Sequence, residues 1–150
     1  MREKRFRTRS VEGTLALGET LAEILRPSGS KEGRLVILRG EVGAGKTTLV
    51  KGIAAALGAA VEEDVTSPTF TLVHEYESER VHLFHLDLYR LETEEQIAVL
   101  GLEEMLAEPN ALVLVEWGER FESVLKLASG EIFMEQGDGD MRGLLVRWNG

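Results

Sequence analysis

A glycine-rich octapeptide constrains the fold of this chain more than any other feature. Residues 40–47 read G-E-V-G-A-G-K-T and fit the pattern G-x-x-x-x-G-K-[ST]. Gly40, Gly43 and Gly45 allow backbone conformations that a Cβ atom forbids, so successive N–H groups can turn inward around an anion. The octapeptide therefore predicts a P-loop, the loop that wraps the phosphates of a nucleotide.

The segments around the octapeptide have the order strand, loop, helix that a P-loop requires. Arg34–Arg39 is a short apolar run that suits a buried strand, and Thr48–Leu57 carries apolar residues at helical spacing. Gly58 follows where a helix would stop. We expect Lys46 to reach the β- and γ-phosphates and Thr47 to offer its hydroxyl to Mg²⁺. The dipole of the helix adds positive potential at the same place.

Composition narrows the classes of protein that the chain can represent. A length of 150 residues and a hydrophobic content of 43% predict one globular unit, a single P-loop ATPase domain over residues 1–150. The absence of cysteine excludes disulfides, thiolate metal sites and a thiol nucleophile. The apolar runs are too short to predict a membrane span. These features are compatible with a reducing cytosol, and we expect a cytoplasmic protein.

The charge of the chain argues against direct binding of nucleic acid. The formal net charge is −9 at pH 7, whereas proteins that hold nucleic-acid phosphates usually have a basic face. Segment 2–9 is the exception, because it contains five Arg or Lys residues and one Glu. Its basic residues alternate with Phe6 and Thr8, so we interpret the segment as an amphipathic edge strand, with a partner-docking arm as the alternative.

Helical and strand patterns alternate along the rest of the chain. A helix is expected from Ser10, a candidate N-cap, up to Pro27, and a polar loop is expected at 61–69. The other expected helices are Thr93–Leu100, Leu102–Ala107 and Gly118–Lys126, and the expected strands are Phe70–Tyr76, Val81–Leu88, Ala111–Val115, Glu131–Glu135 and Leu144–Trp148. The alternation predicts an α/β fold, a P-loop NTPase-like sheet of mixed parallel and antiparallel strands with flanking helices.

Two acidic residues fall at the ends of expected strands, where ligands gather in open α/β sheets. Glu116 follows the apolar run 112–115, which is the pattern of a Walker B strand whose acid holds Mg²⁺ or orients the attacking water. Asp87 ends the other strand, and alternation puts it on one face with His85 and Tyr89. Because a buried carboxylate needs a partner, we interpret Asp87 as an acid that faces a cation or a metal-bound water.

Both acids also have a simpler interpretation. Glu116 can be an acid that merely ends a strand, and Asp87 can form an ion pair with Arg90 or Lys46. The sequence leaves these alternatives open, although the upstream P-loop favours the functional interpretation of both residues.

Three further features carry weaker signals. The loop Thr66–Thr69 offers three hydroxyls beside Pro68, and it is either a switch that senses the γ-phosphate or a simple proline turn. His82 and His85 face opposite sides of a strand, which argues against a zinc site that uses both. Trp117 is either a core or rim aromatic residue or a surface on which a base stacks.

Four motifs, in this order and at these separations, resemble those of the TsaE family, formerly YjeE, of small bacterial ATPases. They are G-E-V-G-A-G-K-T-T at 40–48, T-S-P-T-F-T-L-V at 66–73, H-L-D-L-Y-R-L at 85–91 and V-E-W at 115–117. The resemblance extends from about Val11 to Arg120. The first nine and the last thirty residues carry no motif that aligns.

The resemblance implies a role in making N6-threonylcarbamoyladenosine on tRNA. Proteins of this family bind ATP and Mg²⁺ and associate with the partner proteins TsaD and TsaB, which transfer the threonylcarbamoyl group. Their hydrolysis of ATP is thought to reset that complex between turnovers. Because such a helper acts through protein contacts, we expect no strong direct binding of tRNA by this chain.

The resemblance also implies roles for individual residues. Asp87, Lys46 and Glu116 are the expected catalytic groups, and Thr47 and Glu116 are the expected Mg²⁺ ligands. Thr14 is expected near the adenine. The expected nucleotide-binding residues are Thr14, Gly43, Ala44, Gly45, Lys46, Thr47 and Thr48.

Other classes of P-loop protein remain as alternatives. A small-molecule kinase would need arginines that clamp two phosphate groups, but Arg80, Arg90 and Arg120 are scattered along the chain. A GTP-binding switch would need N-K-x-D, which does not occur in the sequence. A structural subunit without hydrolysis is a third alternative. No segment indicates an arginine finger in cis, so we expect slow turnover without partner proteins.

Overall fold

In a computed structural model of the chain, the described residues are 1–27, 33–41, 43–59 and 73–149. Within these ranges the chain forms seven strands, which are β1 (Arg2–Thr8), β2 (Arg34–Arg39), β3 (Val73–Glu77), β4 (His82–Asp87), β5 (Ala111–Glu116), β6 (Gly130–Gln136) and β7 (Arg142–Trp148). The helices there are α1 (Val11–Leu25), α2 (Lys46–Ala56), α3 (Glu94–Leu100), α4 (Leu102–Ala107) and α5 (Glu122–Leu127), and a 3₁₀ turn covers Gly118–Arg120.

The seven strands form one sheet with the order β1-β7-β6-β2-β5-β4-β3. The four strands in the middle, β6, β2, β5 and β4, are parallel to one another. The pairs β1–β7, β6–β7 and β3–β4 are antiparallel. The mixed sheet predicted from the sequence is therefore confirmed, and β1 lies at its edge as the alternation in segment 2–9 predicts.

The two faces of the sheet carry separate hydrophobic cores. Strand β2 contributes to both, because Val36 and Leu38 point to one face while Leu35 and Ile37 point to the other. Helices α1 and α2 cover the first face, and α3, α4 and α5 cover the second. Burial of each such side chain stabilises the fold by about 1.5–3 kcal/mol, so β2 is fixed from both sides at the position where the P-loop begins.

Helices α1 and α2 touch through their backbones. A Cβ atom at Gly18 would lie 2.3 Å from the carbonyl carbon of Gly52, and one at Gly52 would lie 2.3 Å from the carbonyl oxygen of Leu15. Only hydrogen fits at both positions, so the two glycines set the distance between the helices. This contact holds α2, which carries the last residues of the P-loop, against α1.

The local signals in the sequence are largely confirmed. The side chain of Ser10 accepts a hydrogen bond from the N–H of Gly13 and caps α1, which ends at Leu25, before Pro27. Several expected bounds differ from the structure in detail, and the strand expected at Leu144–Trp148 begins earlier, at Arg142. Helix α2 begins at Lys46 rather than Thr48, and Phe121 separates a 3₁₀ turn from α5 where one helix over 118–126 is expected. No helix in the described ranges has both the length and the apolar character needed to cross a membrane.

Candidate functional site

The carboxyl ends of β2, β5 and β4 meet around one cavity of about 630 Å³. Asp87 and Glu116 are register partners at the ends of β4 and β5, so both acids lie at the same edge of the sheet. The cavity is lined by Gly43, Gly45, Lys46, Thr47, Thr48, Asp87, Tyr89, Glu116, Trp117 and Arg142. The topology therefore gathers residues from four separate parts of the sequence.

The P-loop takes the backbone shape that its glycines permit. Gly40, Gly43 and Gly45 have φ values of 145°, 87° and 100°, which residues with a Cβ rarely adopt. The N–H of Ala44 donates to the carbonyl of Glu41 at 3.0 Å and closes a turn inside the loop. Helix α2 then starts directly at Lys46, so its N-terminal N–H groups and the positive end of its dipole face the cavity.

Lys46 is buried in the wall of the cavity. Its Nζ donates to the carbonyl of Gly40 at 2.7 Å and lies 3.7 Å from Oε1 of Glu116. The same ammonium lies 5.0 Å from the centre of the Trp117 ring, a cation–π distance. A single buried cation thus links the P-loop to the end of β5.

Glu116 is held from a second side by His85, which sequence analysis placed on the Asp87 face without a role. Nε2 of His85 lies 2.7 Å from Oε2 of Glu116, and the ring is fully buried. With Glu116 ionised, Nε2–H is the donor, which fixes the tautomer of the ring and the plane of the carboxylate. The signal was present in the sequence as the strand alternation that aligns His85 with Asp87.

Asp87 is 5% exposed, and its Oδ1 accepts the backbone N–H of Tyr89 at 2.9 Å. The segment that follows it is tied down by Arg120. One guanidinium nitrogen, Nη2, donates to the carbonyls of Leu88 at 2.6 Å, Tyr89 at 3.0 Å and Leu91 at 3.1 Å. Arg120 does not line the cavity, but it fixes the loop that orients Asp87.

Trp117 forms the rim of the cavity next to Glu116. Its backbone has φ 66° and ψ 17°, a left-handed conformation that is costly for a large side chain. The ring centre lies 5.2 Å from that of Tyr89, which is 55% exposed. Together the two rings make an aromatic wall beside the P-loop, in agreement with the interpretation of Trp117 as a rim residue.

Arg142 reaches the site from β7, in the last thirty residues, where the sequence gave no motif. Its Nε donates to the carbonyl of Ala44 at 2.8 Å, and its Nη2 donates to the carbonyl of Gly43 at 3.2 Å. No motif in the last thirty residues predicts this contact, and the absence of an arginine finger in cis stays a prediction, because Arg142 binds backbone carbonyls of the P-loop. A lone arginine after a turn carries no local signal of a contact made about a hundred residues away.

A family profile described as "Threonylcarbamoyl adenosine biosynthesis protein TsaE" matches residues 8–143. This chain belongs to the TsaE family. The match includes Arg142 and so extends past the region in which motifs could be aligned by eye.

Individual relatives agree with the assignment to TsaE. The chain is 35% identical over 142 residues to a Bacillus subtilis protein named tRNA threonylcarbamoyladenosine biosynthesis protein TsaE, a match that covers 95% of this chain and 84% of the relative. It is 45% identical over 112 residues to the protein of that name from Nostoc sp. PCC 7120, covering 73% of this chain and 64% of the relative, less than two thirds of its length. The crystal structure of Bacillus subtilis YdiB superposes with a TM-score of 0.72 at 29% identity, covering 99% of this chain and 87% of that one.

Most of the site residues predicted for this TsaE chain meet in the cavity. Gly43, Gly45, Lys46, Thr47, Thr48, Asp87 and Glu116 line it. Ala44 is fully buried and contributes only its backbone. The loop Thr66–Thr69 lies outside the described residues.

Thr14 does not line the cavity. It is 2% exposed, and its hydroxyl pairs with that of Thr8 at 2.8 Å and donates to the carbonyl of Ser10 at 3.3 Å. These contacts tie α1 to β1. A place for Thr14 near an adenine stays a prediction, and no contact of its side chain in the structure supports it.

The donor set fits a magnesium ion held together with a nucleotide. Within the described ranges no group of three or more His, Cys, Asp or Glu residues could hold a metal ion. Mg²⁺ is usually bound by one or two carboxylates, substrate phosphates and waters rather than by a cage of protein ligands. Thr47 with its hydroxyl and Glu116 with its carboxylate line the same cavity and match that requirement.

Proposed function

We propose that this TsaE-family chain is a Mg²⁺-dependent ATPase that assists the synthesis of threonylcarbamoyladenosine on tRNA, in the cytoplasm and together with TsaD and TsaB. One observation carries the proposal. A single cavity joins a P-loop and its lysine to two acids at the ends of neighbouring parallel strands. In open α/β sheets this edge is where a nucleotide and its metal bind.

The chain's own residues supply the charge that a triphosphate requires. Lys46 and the N–H groups at the start of α2 face the cavity, where they would hold the phosphates and stabilise charge that develops on them. When bound, Mg²⁺ would neutralise negative charge on the phosphates. Thr47 and Glu116 are the residues that would hold it, and His85 keeps the carboxylate of Glu116 in one orientation.

Asp87 is the group proposed to orient the attacking water. Its backbone bond to Tyr89 uses Oδ1, and the surrounding loop is fixed by the three bonds from Arg120. A carboxylate that is 5% exposed on a cavity wall can hold a water or a metal-bound water in a single position. We expect turnover of the isolated protein to be slow and the TsaD–TsaB pair to stimulate it.

The proposal is tested by comparing Lys46→Ala and Asp87→Ala with the wild type. Calorimetry should detect Mg²⁺-ATP binding by the wild type and by Asp87→Ala, whereas Lys46→Ala should bind far more weakly because it loses the cation at the phosphates. Hydrolysis should fall in both variants. Lys51→Ala is the matched control, because Lys51 lies on the same helix and does not line the cavity.

Two results would contradict the proposal. A folded wild-type protein that binds neither ATP nor GTP with Mg²⁺ present would exclude a nucleotide site. Equal hydrolysis rates with and without the TsaD–TsaB pair would remove the accessory role. Phosphoryl transfer to a metabolite without these partners would instead favour the small-molecule kinase.

A further inference from the structure

Arg142 is bound to four backbone carbonyls that belong to two different loops. Nε and Nη2 donate to Ala44 and Gly43 of the P-loop at 2.8 and 3.2 Å. Nη1 donates to Gly139 at 2.8 Å and to Met141 at 2.7 Å in the turn between β6 and β7. The guanidinium is therefore a bridge from the β6–β7 hairpin to the P-loop.

We propose that Arg142 is a positioning residue that holds the P-loop in the shape that binds phosphate. The inference rests on the proposed ATP site. A P-loop works because its N–H groups point toward the anion, so its carbonyls must point elsewhere and find other donors. Arg142 supplies those donors at two consecutive peptide units.

Peptide geometry connects this contact to the phosphate site. A trans peptide unit is planar, with its C=O and N–H pointing in opposite directions. Holding the carbonyl of Ala44 therefore also fixes the direction of the Gly45 N–H at the start of α2. Holding the carbonyl of Gly43 fixes that of the Ala44 N–H, which closes the turn to Glu41 inside the loop. Gly45 has a φ of 100°. Because glycine has no Cβ atom, its backbone can adopt many other conformations if the contact is lost.

The shape of the guanidinium matters as well as its charge. An arginine can donate to both P-loop carbonyls and to the hairpin turn at the same time, because its five N–H groups form a rigid fork. The amine of a lysine is a single point of charge on a flexible stem and cannot span these four acceptors. Arg142 also lines the cavity, so its positive charge lies in the wall where phosphates would bind.

Arg147, on the same strand as Arg142, provides a matched control for the experiment. The guanidinium of Arg147 lies at the surface, where it binds Glu3 at 2.9 Å and Glu131 at 3.4 Å. The hydrogen bond and charge of Glu3 raise the pKa of Arg147, so this residue is charged at all working pH values. Replacing it removes an arginine from the same strand without touching the P-loop.

The experiment compares Arg142→Lys, Arg142→Gln and Arg147→Gln with the wild type. Calorimetry measures the affinity for Mg²⁺-ATP, and circular dichroism measures thermal unfolding. Both Arg142 variants should bind at least about tenfold more weakly, since charged hydrogen bonds that orient the site are lost. Arg147→Gln should bind like the wild type. The Lys variant keeps the charge and most of the stem, so its failure to restore affinity separates positioning from charge.

Two outcomes would overturn the proposed positioning role of Arg142. Wild-type affinity in Arg142→Gln or in Arg142→Lys would overturn it. Loss of the cooperative unfolding transition in both Arg142 variants would make Arg142 a general structural residue and would overturn it too. A wild-type protein that does not bind Mg²⁺-ATP would instead refute the proposed function. That result comes from the wild type alone and is distinct from a difference between the wild type and the Arg142 variants.

Discussion

At the scale of single residues, the site depends on how Glu116 is held. Its two carboxylate oxygens have different partners, Lys46 at 3.7 Å and His85 at 2.7 Å. All three side chains are buried, so each polar group depends on the others for compensation. A change in His85 should therefore alter Glu116 at the proposed Mg²⁺ site without any change in the P-loop.

We predict that His85→Leu lowers Mg²⁺-dependent ATP hydrolysis by about 10–100-fold, the usual effect of removing a group that orients a metal ligand. The Mg²⁺ concentration that gives half-maximal rate should rise, because Glu116 loses its donor. His85→Gln should restore part of the rate, since an amide N–H can donate to the same carboxylate. Titration of Mg²⁺ in a steady-state ATPase assay measures both effects.

His82→Gln is the matched control for that experiment. His82 lies on the same strand but faces the other way, with Nε2 at 3.3 Å from Glu75. It should leave the Mg²⁺ dependence unchanged. If His85→Leu showed the Mg²⁺ dependence of the wild type, the bond to Glu116 would have no part in holding the metal.

Residues with a local signature were predictable from the sequence, and residues defined by a distant contact were not. Lys46 follows from its octapeptide, and Asp87 and Glu116 follow from the apolar runs that precede them. The partner of His85 lies 31 residues away, and that of Arg142 lies 98 residues away. Such pairs exist only once the strands are arranged in the sheet.

At the scale of secondary structure, the contact between α1 and α2 leaves no room for a side chain at Gly18 or Gly52. The sequence presents Gly18 as a residue that weakens a helix, since glycine costs about 1 kcal/mol relative to alanine in a helix interior. The structure explains its presence by the close approach to Gly52. What matters at this position is the missing side chain, and periodicity cannot reveal that.

We predict that Gly18→Ala destabilises the protein by about 1–3 kcal/mol, because an added methyl group would overlap the backbone of α2. The gain in helix propensity offsets only part of this cost. Gly143→Ala is the control, since a Cβ atom there meets nothing within 4 Å, and it should be neutral or slightly stabilising. Urea unfolding followed by circular dichroism gives both values. A Gly18→Ala protein as stable as the wild type would mean that the helices can separate freely.

At the scale of the whole molecule, the sequence predicted a mixed α/β sheet but not its strand order. The placement of β2 between β6 and β5 joins segments that are far apart in the chain. In this order β6 alone separates β7 from β2, and Arg142 at the start of β7 reaches the P-loop. The order also puts β1 at one edge of the sheet, so the basic segment 2–9 lies at that edge.

In the structure, acidic residues lie next to the basic segment 2–9. Strand β1 pairs with β7, and β7 pairs with β6, which places acidic residues of β1 and β6 among the arginines. Glu3 and Glu131 both bind Arg147, and Arg5 and Arg7 share a surface cavity with Glu135. This part of the sheet is therefore a surface of mixed charge rather than a continuous basic face.

We predict that the isolated protein binds tRNA only weakly, with a Kd of about 100 µM or higher at physiological salt. Its net charge of −9 repels the phosphates, Arg147 is paired with Glu3, and Arg5 and Arg7 lie near Glu135. Electrophoretic mobility shifts at two salt concentrations measure this binding. Glu135→Lys replaces the acid near Arg5 and Arg7 by a positive charge and should tighten binding at low salt, which shows that the assay responds. A tight shift of the wild type that weakens by about 10³-fold or more between 50 and 200 mM salt would reveal many phosphate contacts and contradict a role that acts through protein partners.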